Sequence, residues 1–139
     1  MTITSTGADV TLALRRDQDI AASRQLVRRV AQELGFSLVD QTKLVTATSE
    51  LARNTVKYGG GGEMHVERVH ADKQVGLRVS FVDEGPGIPA IEQAMADGWS
   101  TGGGLGLGLS GAKRLVNDFD IQSQVGKGTR VTITRWRAA

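Results

Sequence analysis

The chain has 139 residues, 40% hydrophobic and 23% charged, enough for one domain with a real core and too apolar for a disordered chain. Its formal charge is only +2 despite a pI near 9.3, and aromatics make up 4%, so it lacks the basic, aromatic-laced footprint of a nucleic-acid binder. The absence of cysteine excludes disulfides and thiolate metal sites, and two histidines argue against a His-built one. No apolar run nears membrane-spanning length, and the opening MTITSTGADV lacks the basic and apolar regions of a signal peptide. A cytoplasmic protein with no nucleic-acid and no membrane partner is expected.

In chain order, ADVTLALRR (8–16) reads as a strand with Val10, Leu12 and Leu14 on one face. Residues 17–35 read as a helix, started by Asp17 or Asp19 and stopped by Gly35, with Ile20, Val27, Val30, Ala31 and Leu34 as its apolar stripe. Residues 37–59 read as a second helix. Ser37 and Asp40 form a capping-box pattern, Leu44, Ala47, Leu51 and Ala52 line one face, and the glycine run 59–62 ends it. EMHVERVH (63–70) and QVGLRVSFVDE (74–84) read as strands, the second alternating through Val75, Leu77, Val79 and Phe81. Residues 107–118 read as a third helix, with Leu105, Leu109, Ala112, Leu115 and Val116 inward. FDIQSQV and TRVTITRW close the chain as a hairpin around a GKG turn. Consecutive helices and hairpins predict an α+β sandwich, with helices on one face of a mixed, mostly antiparallel sheet, and a single domain over 1–139.

The glycines between 102 and 111 carry an entropic cost that needs a reason. A P-loop is excluded, because position 121 is Ile and Thr129 comes one residue late after Gly126-Lys127. GLGLSG (106–111) spells GxGxxG, but MADGWSTGG before it is no buried strand, so a dinucleotide fold is not indicated. The VAIK, HRD and DFG elements of eukaryotic-type protein kinases are missing. What remains is an order of three pieces: ELARN on a helix, DEGPG after a strand, and GGGLGLG entering a helix.

That order resembles the GHKL (Bergerat-fold) ATPase superfamily, which includes DNA gyrase, the Hsp90 chaperones, histidine kinases and the anti-sigma-factor kinases. SELARNTVKYGGGG, DEGPGI, MADGWSTGGGLGLGLSGAKRL and VGKGTRVTI look most like the RsbT-like switch serine/threonine kinases of bacterial stress signalling. The resemblance runs from about the second helix to the end.

Glu50 and Asn54 are one helical turn apart on one face. An amide oxygen suits Mg²⁺, and a neighbouring carboxylate can take a proton from an attacking hydroxyl. The resemblance implies those roles for Asn54 and Glu50. The E-x-x-x-N spacing alone equally suits a solvated helix face, and the two later motifs favour the functional reading. Asp83 ends a strand, where a carboxylate can accept the exocyclic amine of adenine, and the resemblance implies that role. Guanine would set a carbonyl against it, a mismatch of about 1–3 kcal/mol, so ATP is expected over GTP. Gly85 and Gly87 allow a tight turn beneath the base; the same DEGPG residues also make a plain strand-end turn.

Gly102, Gly103, Gly104, Gly106 and Gly108, with Leu105 among them, can turn backbone N–H groups toward a triphosphate. The resemblance makes residues 88–101 a short ATP lid, where Ser100 and Thr101 add hydroxyls and Trp99 would report nucleotide by fluorescence if it rides on the lid. Lys57, one turn past Asn54, is a candidate for reaching phosphate, while Lys113 and Arg114 read as solvated. Thr129 matches a position that contacts adenine through water, and is also ordinary strand chemistry. The expected cofactors are ATP and Mg²⁺.

The resemblance implies transfer of the ATP γ-phosphate to STAS-domain antagonist and scaffold proteins of a stressosome, and activation of a PP2C-type phosphatase by the released kinase. The alternative is an anti-sigma factor that holds a sigma factor and phosphorylates its antagonist. A sensor histidine kinase would need a helical hairpin with a phosphoacceptor histidine, and a gyrase- or chaperone-type ATPase a transducer domain; the sequence given holds neither.

Overall fold

The computed structural model describes residues 4–5, 10–88 and 108–137. In chain order these form β1 (Thr4–Ser5), β2 (Val10–Leu14), α1 (Asp17–Glu33), α2 (Leu38–Lys57), β3 (Gly62–Ala71), β4 (Gln74–Asp83), α3 (Gly108–Arg114), β5 (Asp118–Gln124) and β6 (Gly128–Trp136). The sheet order is β1-β3-β4-β6-β5, with β2 sharing the outer edge of β3. Every pairing among the described strands is antiparallel.

Strand alternation sorts the sheet into two faces. Met64 and Val66 of β3, Leu77, Val79 and Phe81 of β4, and Val131 and Ile133 of β6 are buried on one face. Ile20, Val27, Val30 and Ala31 of α1 pack there with Leu44, Ala47, Leu51 and Ala52 of α2 and Leu109 and Ala112 of α3. Helix α2 is central, touching α1, α3, β3 and β4. Burying each large side chain stabilises by roughly 1.5–3 kcal/mol, whereas an exposed ion pair such as Arg68–Glu33 adds about 1 kcal/mol at most. The apolar face therefore holds the layers together. Among the described residues no helix is long and apolar enough to cross a membrane.

The element ends show where tertiary contacts override local pattern. The first strand stops at Leu14, not at residue 16, because the N–H groups of Arg15 and Arg16 turn to the Asp19 carboxylate at 2.9 and 3.0 Å and start α1. Helix α1 ends at Glu33, and Gly35, at φ 82°, leads the chain out. Ser37 Oγ accepts the Asp40 N–H and starts α2 as its pattern predicts. The third helix ends at Arg114 rather than 118. Leu115 and Val116 still pack against the core, but from non-helical chain, and Asn117 N–H bonds to the Thr134 carbonyl.

Candidate functional site

Helix α2 runs unbroken to Lys57, so Glu50 and Asn54 do share a face one turn apart. The Glu50 side chain is 15% exposed and lies 3.8 Å from the Arg53 guanidinium. Asn54 is half-buried and Lys57 exposed. The Asn54 carbonyl accepts N–H bonds from Tyr58 (2.9 Å) and Gly59 (3.0 Å), and the Thr55 carbonyl accepts that of Gly61. These bonds close the helix and curl the glycine run back toward the sheet, where Gly62 opens β3 beside Asp83 at the end of β4.

Asp83 sits under that curl. Its Oδ1 accepts the Gly85 N–H at 2.9 Å, a tight turn closed on the strand's own last carboxylate. A Cβ on Gly85 would lie 2.5 Å from the Gly59 carbonyl oxygen, so this turn and the end of α2 touch backbone to backbone. Gly87 adopts φ 79°, and a Cβ there would lie 2.2 Å from the Gln124 carbonyl oxygen. The acidic turn is thus wedged between the end of α2 and the closing hairpin.

The hairpin completes the corner. Thr129 is the register partner of Asp83 and shares its sheet face. The Thr129 and Ser123 hydroxyls lie 2.8 Å apart, Ser123 Oγ accepts the Ile88 N–H at 2.7 Å, and Gly126 N–H bonds to the Pro86 carbonyl. On the other side of Asp83, between the glycine run and the end of β4, a cleft of about 450 Å³ is lined by Arg15, residues 59–62, Glu63, Val82, Asp83 and the exposed Glu84, and by no residue of the hairpin.

Asp83, Gly85, Gly87 and Thr129 therefore meet in one corner, and Asn54 joins them through its carbonyl. Among the described residues, only Asp83 of the predicted site lines the cleft; Glu50, Asn54 and Lys57 on α2, and Gly85, Gly87 and Thr129, do not. Gly108 opens α3 at φ 43°. Ser100, Thr101, Gly102, Gly103, Gly104, Leu105 and Gly106, with Trp99, lie outside the described residues. Sequence reasoning missed two members, Ser123 and Gly59. Ser123 carries no motif. Gly59 was legible only as a helix stop.

Among the described residues no three His, Cys, Asp or Glu side chains gather as a metal cage. An ion beside Asn54 would take its other ligands from phosphate and water, which suits Mg²⁺.

A model of the histidine kinase-, DNA gyrase B- and HSP90-like ATPases matches residues 39–138, which include α2 from its second residue, the Asp83 turn and the hairpin. The chain belongs to this ATPase family. Within the family it is 50% identical over 118 residues to the serine/threonine-protein kinase RsbT of Bacillus subtilis (strain 168), covering 85% of this chain and 89% of that one. An anti-sigma F factor of Thermoanaerobacter sp. (strain X514) is 25% identical over 127 residues, covering 88% and 89%. Two solved structures share the fold. The RsbU and RsbW domains of a Mycobacterium tuberculosis protein match at TM-score 0.64 and 21% identity over 96% of this chain, which spans only 34% of that longer one. A mycobacterial sensor histidine kinase, MprB, matches at TM-score 0.55 and 20% identity, covering 94% and 98%.

Proposed function

We propose that this chain is an ATP-dependent serine/threonine-protein kinase of the switch type. It transfers the γ-phosphate to serine or threonine of STAS-domain antagonist and scaffold proteins in a cytoplasmic stress-response module, and once released it activates a PP2C-type phosphatase by binding. Residues 1–139 act as one domain. The observation that carries the reading is the seat of Asp83, a strand-end carboxylate fixed by the Gly85 N–H against the end of the helix that bears Glu50 and Asn54. The 50% identity to a serine/threonine kinase supports it.

With Oδ1 engaged by Gly85, Asp83 keeps Oδ2 to accept the exocyclic amine of adenine. Thr129, paired with Ser123, reaches the base through water. Gly85 and Gly87 let backbone approach beneath it. The glycines 102, 103, 104, 106 and 108, with Ser100, Thr101 and the Leu105 backbone, cradle the phosphates, and Lys57 reaches toward them. Asn54 would hold Mg²⁺ through its amide oxygen, and the bound ion would supply positive charge to offset that of the phosphates.

Glu50 is the base. The partner's hydroxyl oxygen bonds to the γ-phosphorus as the bond to the β–γ bridging oxygen breaks. The hydroxyl proton passes to the Glu50 carboxylate and ADP leaves. The Glu50 side chain is largely withdrawn from bulk water.

The test is transfer of labelled γ-phosphate from Mg-ATP to a co-encoded STAS-domain protein. Label on serine or threonine supports the kinase. No label with ATP still bound, together with retention of a sigma factor in a pull-down, would favour a sequestering anti-sigma factor, the reading that the 25% identity to anti-sigma F factors keeps in play.

A further inference from the structure

We infer that Gly59, the residue after the α2 cap, is a specificity-determining residue of the nucleotide site: its bare Cα fixes the one carboxylate orientation of Asp83 that reads adenine. The inference rests on the adenine role proposed for Asp83. A Cβ at Gly59 would lie 2.5 Å from both Cγ and Oδ2 of Asp83 and 2.8 Å from its Cβ. Non-bonded carbons stay some 3.5–4 Å apart, so a side chain here must move the Asp83 carboxylate.

The carboxylate has little room to move. Oδ1 is tied to the Gly85 N–H, and Gly85 is itself packed against the Gly59 backbone. Gly59 is buried and held in place by its N–H bond to the Asn54 carbonyl. Rotating Asp83 away from a new methyl group would break the Gly85 bond and turn Oδ2 off the line it now holds. Gly59 thus transmits the position of the α2 end to the group that chooses the base.

The glycine run supplies its own control. Gly59 is not among the positive-φ glycines, so alanine is allowed there by the backbone and the cost falls on the contact. Gly60 is the reverse case, with φ 75° and no atom within 4 Å of a Cβ, so Gly60→Ala strains the backbone without touching Asp83.

The experiment is calorimetric titration of the full chain with Mg-ATP and Mg-ITP, which differ at the C6 substituent that Asp83 would read. Wild type is expected to prefer ATP by about tenfold or more. Gly59→Ala should bring that ratio to near one, while Gly60→Ala keeps it. A folded Gly59→Ala with the wild-type ratio overturns the inference, as does an equal collapse in Gly60→Ala. If Gly59→Ala fails to fold, the double variant Gly59→Ala/Asp83→Gly removes the whole obstructing side chain, its Cβ included, and should recover the wild-type circular dichroism spectrum. Failure of the double variant to fold also overturns the inference. Loss of the adenine role itself would show separately, as a wild type without ATP preference.

Discussion

Arg135 and Asp40, 95 residues apart in the chain, form an ion pair at 2.6 Å between β6 and the first turn of α2. Arg135 Nη1 also donates to the Leu115 carbonyl just past α3. One guanidinium thus ties β6, α2 and the end of α3 at the end of α2 opposite the Asp83 corner. The side chains are only 15% and 9% exposed, so removing one partner strands a charge in a poorly solvated place. Asp40→Ala is expected to cost about 3 kcal/mol in urea unfolding. The apolar double variant Asp40→Leu/Arg135→Met, which removes both charges together, should come out near neutral. A single-variant cost under about 1 kcal/mol would mean the pair behaves as a surface contact.

Asp83→Asn replaces a carboxylate that holds the Gly85 N–H on one oxygen and offers the other. ATP affinity should fall by about tenfold or more with the fold intact. Calorimetry that returns wild-type affinity would remove Asp83 from the adenine site.

Glu50→Ala removes the proposed proton acceptor on the half-buried face of α2. Transfer to the partner should drop by about 10²–10⁴-fold while ATP binding persists. Normal transfer by the variant would mean that another group takes the proton.

Asp19 accepts the N–H groups of Arg15 and Arg16, and these bonds, helped by the Arg16 charge, hold its carboxyl below the usual carboxylate range against a smaller effect of burial. An unfolded aspartate titrates near pH ~3.9. Its contribution to stability is therefore fully present above that pH and is lost as pH falls through the lower folded value. Asp19→Asn should sit below wild type in denaturation midpoint by a steady margin from neutral pH down to about pH 4. The margin should then narrow with further acid. A margin that stays constant to low pH would show that the charge plays no part.

Much of this protein was legible in its residues. The stripes Ile20, Val27, Val30, Ala31 and Leu44, Ala47, Leu51, Ala52 are all buried, because helical periodicity records which face meets the core. The alternation of Leu77, Val79 and Phe81 likewise marks the covered face of β4. Ends were read less well. Arg15 and Arg16 look like strand continuation until the Asp19 carboxylate takes their amides, and the third helix stops early where Leu115 meets Arg135. On β3, Val69 and Ala71 are buried on the sheet face away from the helices, a change of side that local alternation does not announce.

By itself the sequence determined the order of elements, the helix-facing core and the three motif segments, because each depends on neighbours within a turn or a strand. Only the tertiary structure settled how the end of α2 and the acidic turn meet. It set Asp83 opposite Thr129, drew Ser123 into the corner, and turned Gly59 from a helix stop into the wall behind a carboxylate. Such contacts join residues whose spacing in the chain carries no record of their distance in space. They exist only once the core has fixed the end of α2 against the end of β4.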